Sequence, residues 1–497
     1  MKLNFKTYQD KVYACWQGKS IGGTLGAPYE MTREKLHITG FAEGTKGGLP
    51  NDDLDLQLVW LQALEYEGVN LTAETLGEYW LSFITPHWAE YGISKQHMCS
   101  GLPAQVSGDW ANVWKHSNGA WIRTEIWATL APACPALAAR YATEDAKVDH
   151  GLGEGTHAAA FVAAMEAAAF VVSDVRQLIE IGLAHIPETS RMAKTVRLVI
   201  DCFDKGKTAE ETRDIIVEEN ADIGDGWFQA PSNVGFVILG LLYGEGDFKK
   251  SMLLAVNCGD DTDCTGATIG SIMGIMKGTK GIPKDWMAHV GDKIVTCSLN
   301  EGISFLYPKT LKELTARVVD YAPVMLIQNR APVRFTSGRD ELDSDLIEKL
   351  TQRTDTFAHK YDAPIRSDYV NREGNSFLVN FGYASAVVTY DGEPLIGAGE
   401  VKKSHIRFIN NVKAHGNQPH TLQIKCISAP EGFTVGIPSA RVYLTHWSSM
   451  TPAWVSEPIT VTVAAGEHVE GINRLVLEVT EAGRYTAAYL PVTFLNK

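Results

Sequence analysis

Three carboxylates fall within four residues at Asp260, Asp261 and Asp263, in the run C-G-D-D-T-D-C-T-G-A-T-I-G-S-I-M-G-I-M-K-G from Cys258 to Gly278. Like charges this close repel one another unless a cation sits among them. Acidic residues also suit the start of a helix, so a solvated N-cap is the competing reading. A second acidic pair, Asp52 and Asp53, follows Asn51 at the head of the apolar run L-D-L-Q-L-V-W-L-Q-A-L-E. If the two clusters converge, Asp52, Asp53, Asp261 and Asp263 form an all-oxygen set. Such a set suits Mg2+, Mn2+ or Ca2+ better than zinc or copper. Glu30 stands outside both clusters and, taken alone, reads as a surface carboxylate.

The elements that would bring these residues together are two glycine-striped helices. After Asp263 the glycines recur at Gly266, Gly270, Gly274 and Gly278, and an earlier helical pattern from about Tyr8 carries Gly18, Gly22 and Gly26. Residues four apart share a helix face, so each stripe offers a smooth track for another backbone. A glycine costs about 1 kcal/mol of helix stability relative to Ala, and close packing is the compensation. The two stripes are therefore expected to pack on each other. The first helix should stop at Pro28, leaving Glu30 on the loop beyond.

Helical periodicity continues through the middle of the chain. It predicts helices near Thr72 to Phe83, Glu125 to Ala138, Thr156 to Val172, Val175 to Ala184, Thr189 to Cys202, Thr208 to Glu219, Asn233 to Tyr243 and Phe248 to Asn257. No alternating βαβ pattern interrupts them, so a largely α-helical domain extends to about residue 320. Two loops stand out. His97 to Arg123 is rich in Gly, Ser, Asn and His and contains S-N-G-A-W-I-R, a composition that offers donors to a phosphate or a sugar. Asp222 to Asn233 sets Trp227 and Phe228 among glycines, as a packed turn or as a stacking platform for a base.

Composition narrows the class. The 497 residues suffice for several domains, and 45% hydrophobic with 21% charged residues is a globular profile. A formal net charge of -14 argues against a nucleic-acid or anionic-membrane surface. The N-terminus lacks an apolar signal core and no stretch reads as a membrane span, which makes a cytoplasmic location the default expectation. The eight cysteines include no C-x-x-C pair, so neither a disulfide framework nor a zinc site is indicated.

The segments G-K-S-I-G-G-T-L-G-A-P-Y-E, N-D-D-L, S-N-G-A-W-I-R, T-H-A-A-A and G-D-D-T-D-C-T-G-A, in this order over roughly the first 300 residues, resemble the ADP-ribosylglycohydrolase family. The resemblance implies an all-α fold with two divalent cations, usually magnesium or manganese, and cleavage of the glycosidic bond of an ADP-ribosyl group. Matched residue by residue, it implies metal ligands at Asn51, Asp52, Asp53, Asp261 and Asp263. It further implies Glu30 as the acid or base, and ribose- and phosphate-contacting positions at Ser117, Asn118, Gly119 and His157. The partner would be an ADP-ribosylated protein or a small ribosyl conjugate. This chain departs from the family pattern where Asn51 and Cys264 replace threonines, and a thiol is a poor partner for magnesium; Thr265 or a water could take the place of Cys264. Two other readings stay open: a glycosidase of the same fold acting on a different furanoside, and a non-catalytic ADP-ribose binder.

The last third reads differently. A polar run, E-L-D-S-D-L-I-E-K-L, suggests a linker helix, and from about Ser376 short alternating runs separated by Gly, Pro and Asp predict a β-sandwich of seven or eight strands. The expected organisation is a metal-dependent helical domain over 1–325, a linker over 326–370 and a β-domain over 371–497.

Overall fold

The computed structural model describes all residues except 101, 225, 301–305, 353–373, 411–418, 446–454 and 485–486. The chain divides into two compact units, a helical one running to residue 362 apart from 100–102, and a second from residue 363 onward that takes in 100–102. Within the helical unit, helices follow in unbroken succession from Phe5–Gly26 to Leu311–Gln328, as the periodicity predicted. Their starts are capped as the sequence suggests: Asn4, Asn51, Asp174, Ser190, Thr208, Asp247 and Thr310 each accept a backbone N–H of the first turn.

The two glycine helices, Phe5–Gly26 and Thr262–Lys277, lie at the centre and run antiparallel. Gly18 packs on Gly270, Gly22 on Gly266, Gly26 on Thr262 and Gly274 on Ala14. A Cβ added at Gly266 would lie 2.6 Å from the carbonyl oxygen of Gly22, so only glycine lets the two backbones come this close. Apolar side chains on both helices are buried beside this contact, Val12, Trp16, Ile21 and Leu25 on one and Ile269, Ile272 and Ile275 on the other.

Two expectations in this unit need correction. The single helix expected over Glu125 to Ala138 is two: Glu125–Leu130 stops, and Pro135–His150 begins with its proline in the first turn. Proline lacks the N–H that a helix interior needs but fits a first turn, so Pro135 starts a helix where the periodicity alone read through it. The stretch His97 to Arg123 is also more ordered than a loop. Helix Ala89–Cys99 takes its beginning, and short helical turns form at Ala104–Ser107 and Trp121–Arg123. Asn112 Nδ2 donates to the carbonyls of Gly108 and Asp149, both at 2.7 Å, which clamps the stretch to the end of helix Pro135–His150.

Beyond the last long helix, Arg334–Thr336 forms a short strand parallel to Lys2–Asn4, and the polar run gives a one-turn helix, Ser344–Glu348. The rest of the expected linker, from 353, lies outside the described residues. The second unit contains two five-stranded sheets. One has the order Ser376–Asn380, Ala384–Tyr390, Val401–Asn410, Ile459–Ala464, Thr434–Gly436, and the other the order Leu395–Ile396, Ala487–Asn496, Ile472–Glu481, His420–Ser428, Arg441–Leu444. Period-2 alternation supplies their shared apolar cluster: Ile406 and Phe408, Val461 and Val463, Leu475, Leu477 and Val479, and Leu490, Val492 and Phe494. Against an expectation of seven or eight strands, eight of these match the alternating runs; the further two, Leu395–Ile396 and Thr434–Gly436, carry too few residues to show alternation.

Candidate metal centre

The register of the glycine helices decides where the acidic residues meet. Gly26, the last residue of the first helix, rests on Thr262, the first of its partner, and Thr262 Oγ1 donates to the Gly26 carbonyl at 2.9 Å. Asp261 and Asp263 are thereby set beside the segment that carries Glu30. That segment is tied down in turn: Met31 N–H donates to Asp260 O at 3.0 Å, and Asp260 N–H to Thr32 O at 2.6 Å. The second cluster arrives on helix Asp52–Glu67, whose cap Asn51 lies against Gly23 so closely that a side chain there would overlap its amide.

The two clusters converge. Asp53, Asp263 and Cys264 offer ligand atoms within 4.8 Å of one another, and so do Glu30, Asp261 and Asp263, which makes Asp263 common to both sets. Asp53, Asp261 and Asp263 are buried, and Asp53 Oδ2, Asp261 Oδ1 and Asp263 Oδ1 have no hydrogen-bond partner. A buried acceptor left unpartnered costs about 1–3 kcal/mol, more if charged. Oxygens gathered in this way fit a hard divalent cation. Asn51 contributes differently, since its Oδ1 accepts the Asp53 N–H at 2.7 Å and so caps the helix. Of the two residues that could replace the family's threonine, Thr265 turns its hydroxyl back to Thr262 O at 3.1 Å, while Cys264 Sγ approaches Asp53 Oδ1 at 3.4 Å.

Electrostatics follow from this crowding. Glu30, at the exposed rim, has its carboxyl raised to about 8 by partial desolvation and by Asp263 and Asp52. Burial and Asp263 lift Asp52 to about 6, with Tyr91 Oη donating to its Oδ2 at 3.2 Å. Burial likewise pushes Asp53 and Asp261 well above the ordinary carboxylate range, with Asp263 adding to both.

Sequence reasoning missed the frame beneath the cluster. Lys19, buried in the glycine helix, donates to Glu125 Oε1 at 2.9 Å and to Ile122 O at 2.6 Å, and its Nζ is 3.7 Å from Asp53 Oδ2. Burial opposes its charge, but Glu125 and Asp53 outweigh that and keep it protonated. Gln57 joins the two by donating to Asp53 O at 2.9 Å and to Glu125 Oε2 at 2.7 Å. Asp55 accepts the backbone N–H groups of Cys297 and Ser298, each at 2.7 Å, and burial lifts it to about 7. A lysine amid glycines gives no sequence signal; Asp55 stood in view but read as part of an apolar run.

The S-N-G stretch reaches the centre through Asn118, whose Nδ2 donates to Asp261 Oδ2 at 2.6 Å while its Oδ1 accepts Trp121 Nε1 at 3.0 Å. Gly119 leaves no room for a side chain because the carboxylate of Glu90 lies directly against it. Ser117 Oγ lies 3.1 Å from His150 Nε2 and donates to Trp114 O at 2.6 Å. Beneath the stretch, buried Arg123 binds Asp145 Oδ1 at 3.0 Å and both oxygens of Asp149 at 2.8–2.9 Å. His157 is held elsewhere, with Nδ1 3.3 Å from Glu154 Oε2, a carboxylate that also accepts the N–H groups of Arg191 and Met192. In the second unusual loop, the Arg33 guanidinium lies 3.0 Å from the Trp227 ring centroid, and Phe228 N–H donates to Asp260 Oδ1 at 3.2 Å.

A sequence profile of the ADP-ribosylglycohydrolase family matches residues 5–320, the whole span from the first glycine helix into the last long one. The chain belongs to the ADP-ribosylglycohydrolase family. "ADP-ribosylarginine hydrolase Tri1" of Serratia proteamaculans (strain 568) is 35% identical over 63 residues, 13% of this chain and 17% of that protein. The match thus spans under a fifth of that relative's length. A solved structure titled "ADP-ribosylglycohydrolase-related protein complex" aligns at 20% identity over 64% of this chain and 99% of that one, with a TM-score of 0.43. The crystal structure of a FixG-related protein from Vibrio parahaemolyticus aligns over 23% of this chain and 98% of that one, at 10% identity and a TM-score of 0.18. No described helix of this chain is long and apolar enough to cross a membrane.

Proposed function

We propose that this chain is a divalent-metal-dependent hydrolase that cleaves the glycosidic bond of an ADP-ribosyl group or a related ribosyl conjugate. The observation that carries the reading is the meeting of Glu30 with Asp53, Asp261 and Asp263 in two ligand sets that share Asp263, with three buried carboxylate oxygens left unpartnered and Asp52 near enough to raise Glu30. Magnesium or manganese held there by the aspartates would orient ribose hydroxyls and acidify water. Everything else falls to the protein. Glu30, whose carboxyl burial and the neighbouring aspartates raise to about 8 in the metal-free protein, can pass a proton to the leaving atom or, once ionised, take one from the attacking water. Asn118 braces Asp261 and sets the backbone of the Ser117–Gly119 stretch against the centre, where it can meet the ribose and the diphosphate. Phe228, tied to Asp260 through its N–H and stacked with Trp227, whose ring carries the Arg33 guanidinium, offers an aromatic edge for the adenine. His157, beside Glu154 at a helix start, is a more distant contact for the diphosphate. An arginine-linked conjugate is the first substrate to assay, because the relative matched over a short segment is an ADP-ribosylarginine hydrolase.

Titration calorimetry of the metal-stripped protein with ADP-ribose, before and after addition of Mg2+ or Mn2+, tests the reading. Binding that needs the cation is expected; no binding under either condition sends the search to other glycosides. Glu30→Gln should retain that binding and lose turnover by at least ~100-fold, the lower end for general acid–base catalysis. Hydrolysis by this variant at the wild-type rate would remove Glu30 from the mechanism.

A further inference from the structure

Cys264 sets one half of this centre apart from the other. Its Sγ sits in the first turn of helix Thr262–Lys277, 3.4 Å from Asp53 Oδ1, and the Asp53, Asp263 and Cys264 ligand atoms lie within 4.8 Å of one another. All three side chains are over nine-tenths buried. Two oxygens of the set, Asp53 Oδ2 and Asp263 Oδ1, are buried without a hydrogen-bond partner, on carboxylates that each bring a ligand atom within 4.8 Å of the sulfur. The neighbouring set, Glu30, Asp261 and Asp263, offers oxygen alone. Mg2+ takes oxygen ligands and octahedral geometry, whereas Zn2+, Co2+ and Cd2+ accept thiolate beside carboxylate. In the metal-free protein burial and the surrounding aspartates hold Cys264 as a thiol that donates to Asp53 Oδ1, so a cation that takes the sulfur must displace that proton.

We propose that Asp53, Asp263 and Cys264 form a thiolate-bearing cation site selective for a borderline or soft divalent ion, so that the two halves of the centre hold chemically different metals. The inference rests on the reading of this cluster as a metal centre. As the sulfur–metal bond forms, the thiol proton is released to solvent, one per cation bound. No oxidation or reduction is involved. Lys19, 3.7 Å from Asp53 Oδ2, limits the negative charge of this half, so ligand softness rather than charge sets its preference.

The test is a Co2+ titration of the full-length, metal-stripped chain carrying Cys99→Ser and Cys297→Ser, which remove the two exposed thiols. A near-ultraviolet sulfur-to-cobalt charge-transfer band saturating at one equivalent is expected. It should vanish in Cys264→Thr, whose preference for Zn2+ over Mg2+ should fall at least ~10-fold. Cobalt binding without that band, or a band that survives Cys264→Thr, overturns the proposal. Cadmium NMR of the wild-type chain gives the same answer should Cys264→Thr fail to fold: a resonance in the oxygen-only range overturns it. Mg2+-dependent ADP-ribose binding in the same preparation separates the two failures. If that binding persists without the sulfur signal, only the thiolate site is wrong; if no cation binds, the centre itself is wrong.

Discussion

Asp263→Asn is expected to abolish stabilisation by divalent cations while making the metal-free protein more stable. The two effects have one cause. Asp263 belongs to both ligand sets, so its loss leaves each incomplete. Its charge also raises the carboxyls of Glu30, Asp52, Asp53 and Asp261, so a neutral amide of the same shape relieves repulsion. Turnover should fall at least ~100-fold, more than the usual cost of a residue behind the ligands. Thermal melts with and without Mg2+ check this, and a variant that gains as much from the cation as wild type would refute the shared-ligand reading.

The same charges fix a pH dependence. Asp52 titrates near 6 and Glu30 near 8 in the folded state, against about 3.9 and 4.3 unfolded. The folded protein therefore binds more protons than the unfolded chain between these values. Stability of the metal-free protein should fall as pH rises from about 4 to about 8, and a bound cation should flatten that slope. In Asp263→Asn the slope should be shallower even without metal.

Gly22→Ala should cost about 3 kcal/mol or unfold the helical unit, the upper end for overpacking. Alanine's better helix propensity, about 1 kcal/mol, acts in the opposite direction. The clash wins because the new methyl meets backbone: it overlaps the Gly266 carbonyl and lies 2.5 Å from Ala267 N. Neither helix can yield without pulling Asp261 and Asp263 away from Glu30. Gly40→Ala, at a position with open space around it, is the control and should change stability by no more than ~0.5 kcal/mol. Equal melting temperatures for the two variants would contradict this packing.

Much of the fold and part of the site could be read from residue spacing. Glycines at every fourth position foretold the helix pair, because no other side chain permits that approach. N-D-D foretold a capped helix, and period-2 runs foretold the sheets. The misses share a physical origin in tertiary context. Helix Ala89–Cys99, which supplies Glu90 and Tyr91, contains Gly92 and few apolar residues, so its periodicity is faint. Nothing in the spacing around Lys19 and Arg123 marks them as buried; it is partners such as Glu125 and Asp149, distant in sequence, that hold them inside. The break before Pro135 was signalled by the proline itself and overridden by the apolar pattern on either side.

The long separation of the paired helices has a consequence for how the protein comes into being. The hydroxyl of Thr262 reaches Gly26 across 236 positions, and Cys264 reaches Asp53 across 211. At ~5–20 residues per second, the first glycine helix leaves the ribosome roughly 10–50 s before the surface it is shaped to meet. Closing a loop of that length costs about 5 kcal/mol of chain entropy, which only a largely finished set of contacts can offset. A nascent chain therefore carries half a centre, with Asp52 and Asp53 but neither Asp261 nor Asp263. Capture of the cation becomes a late event in biogenesis, and a chain that holds its metal is one whose helical unit has already folded.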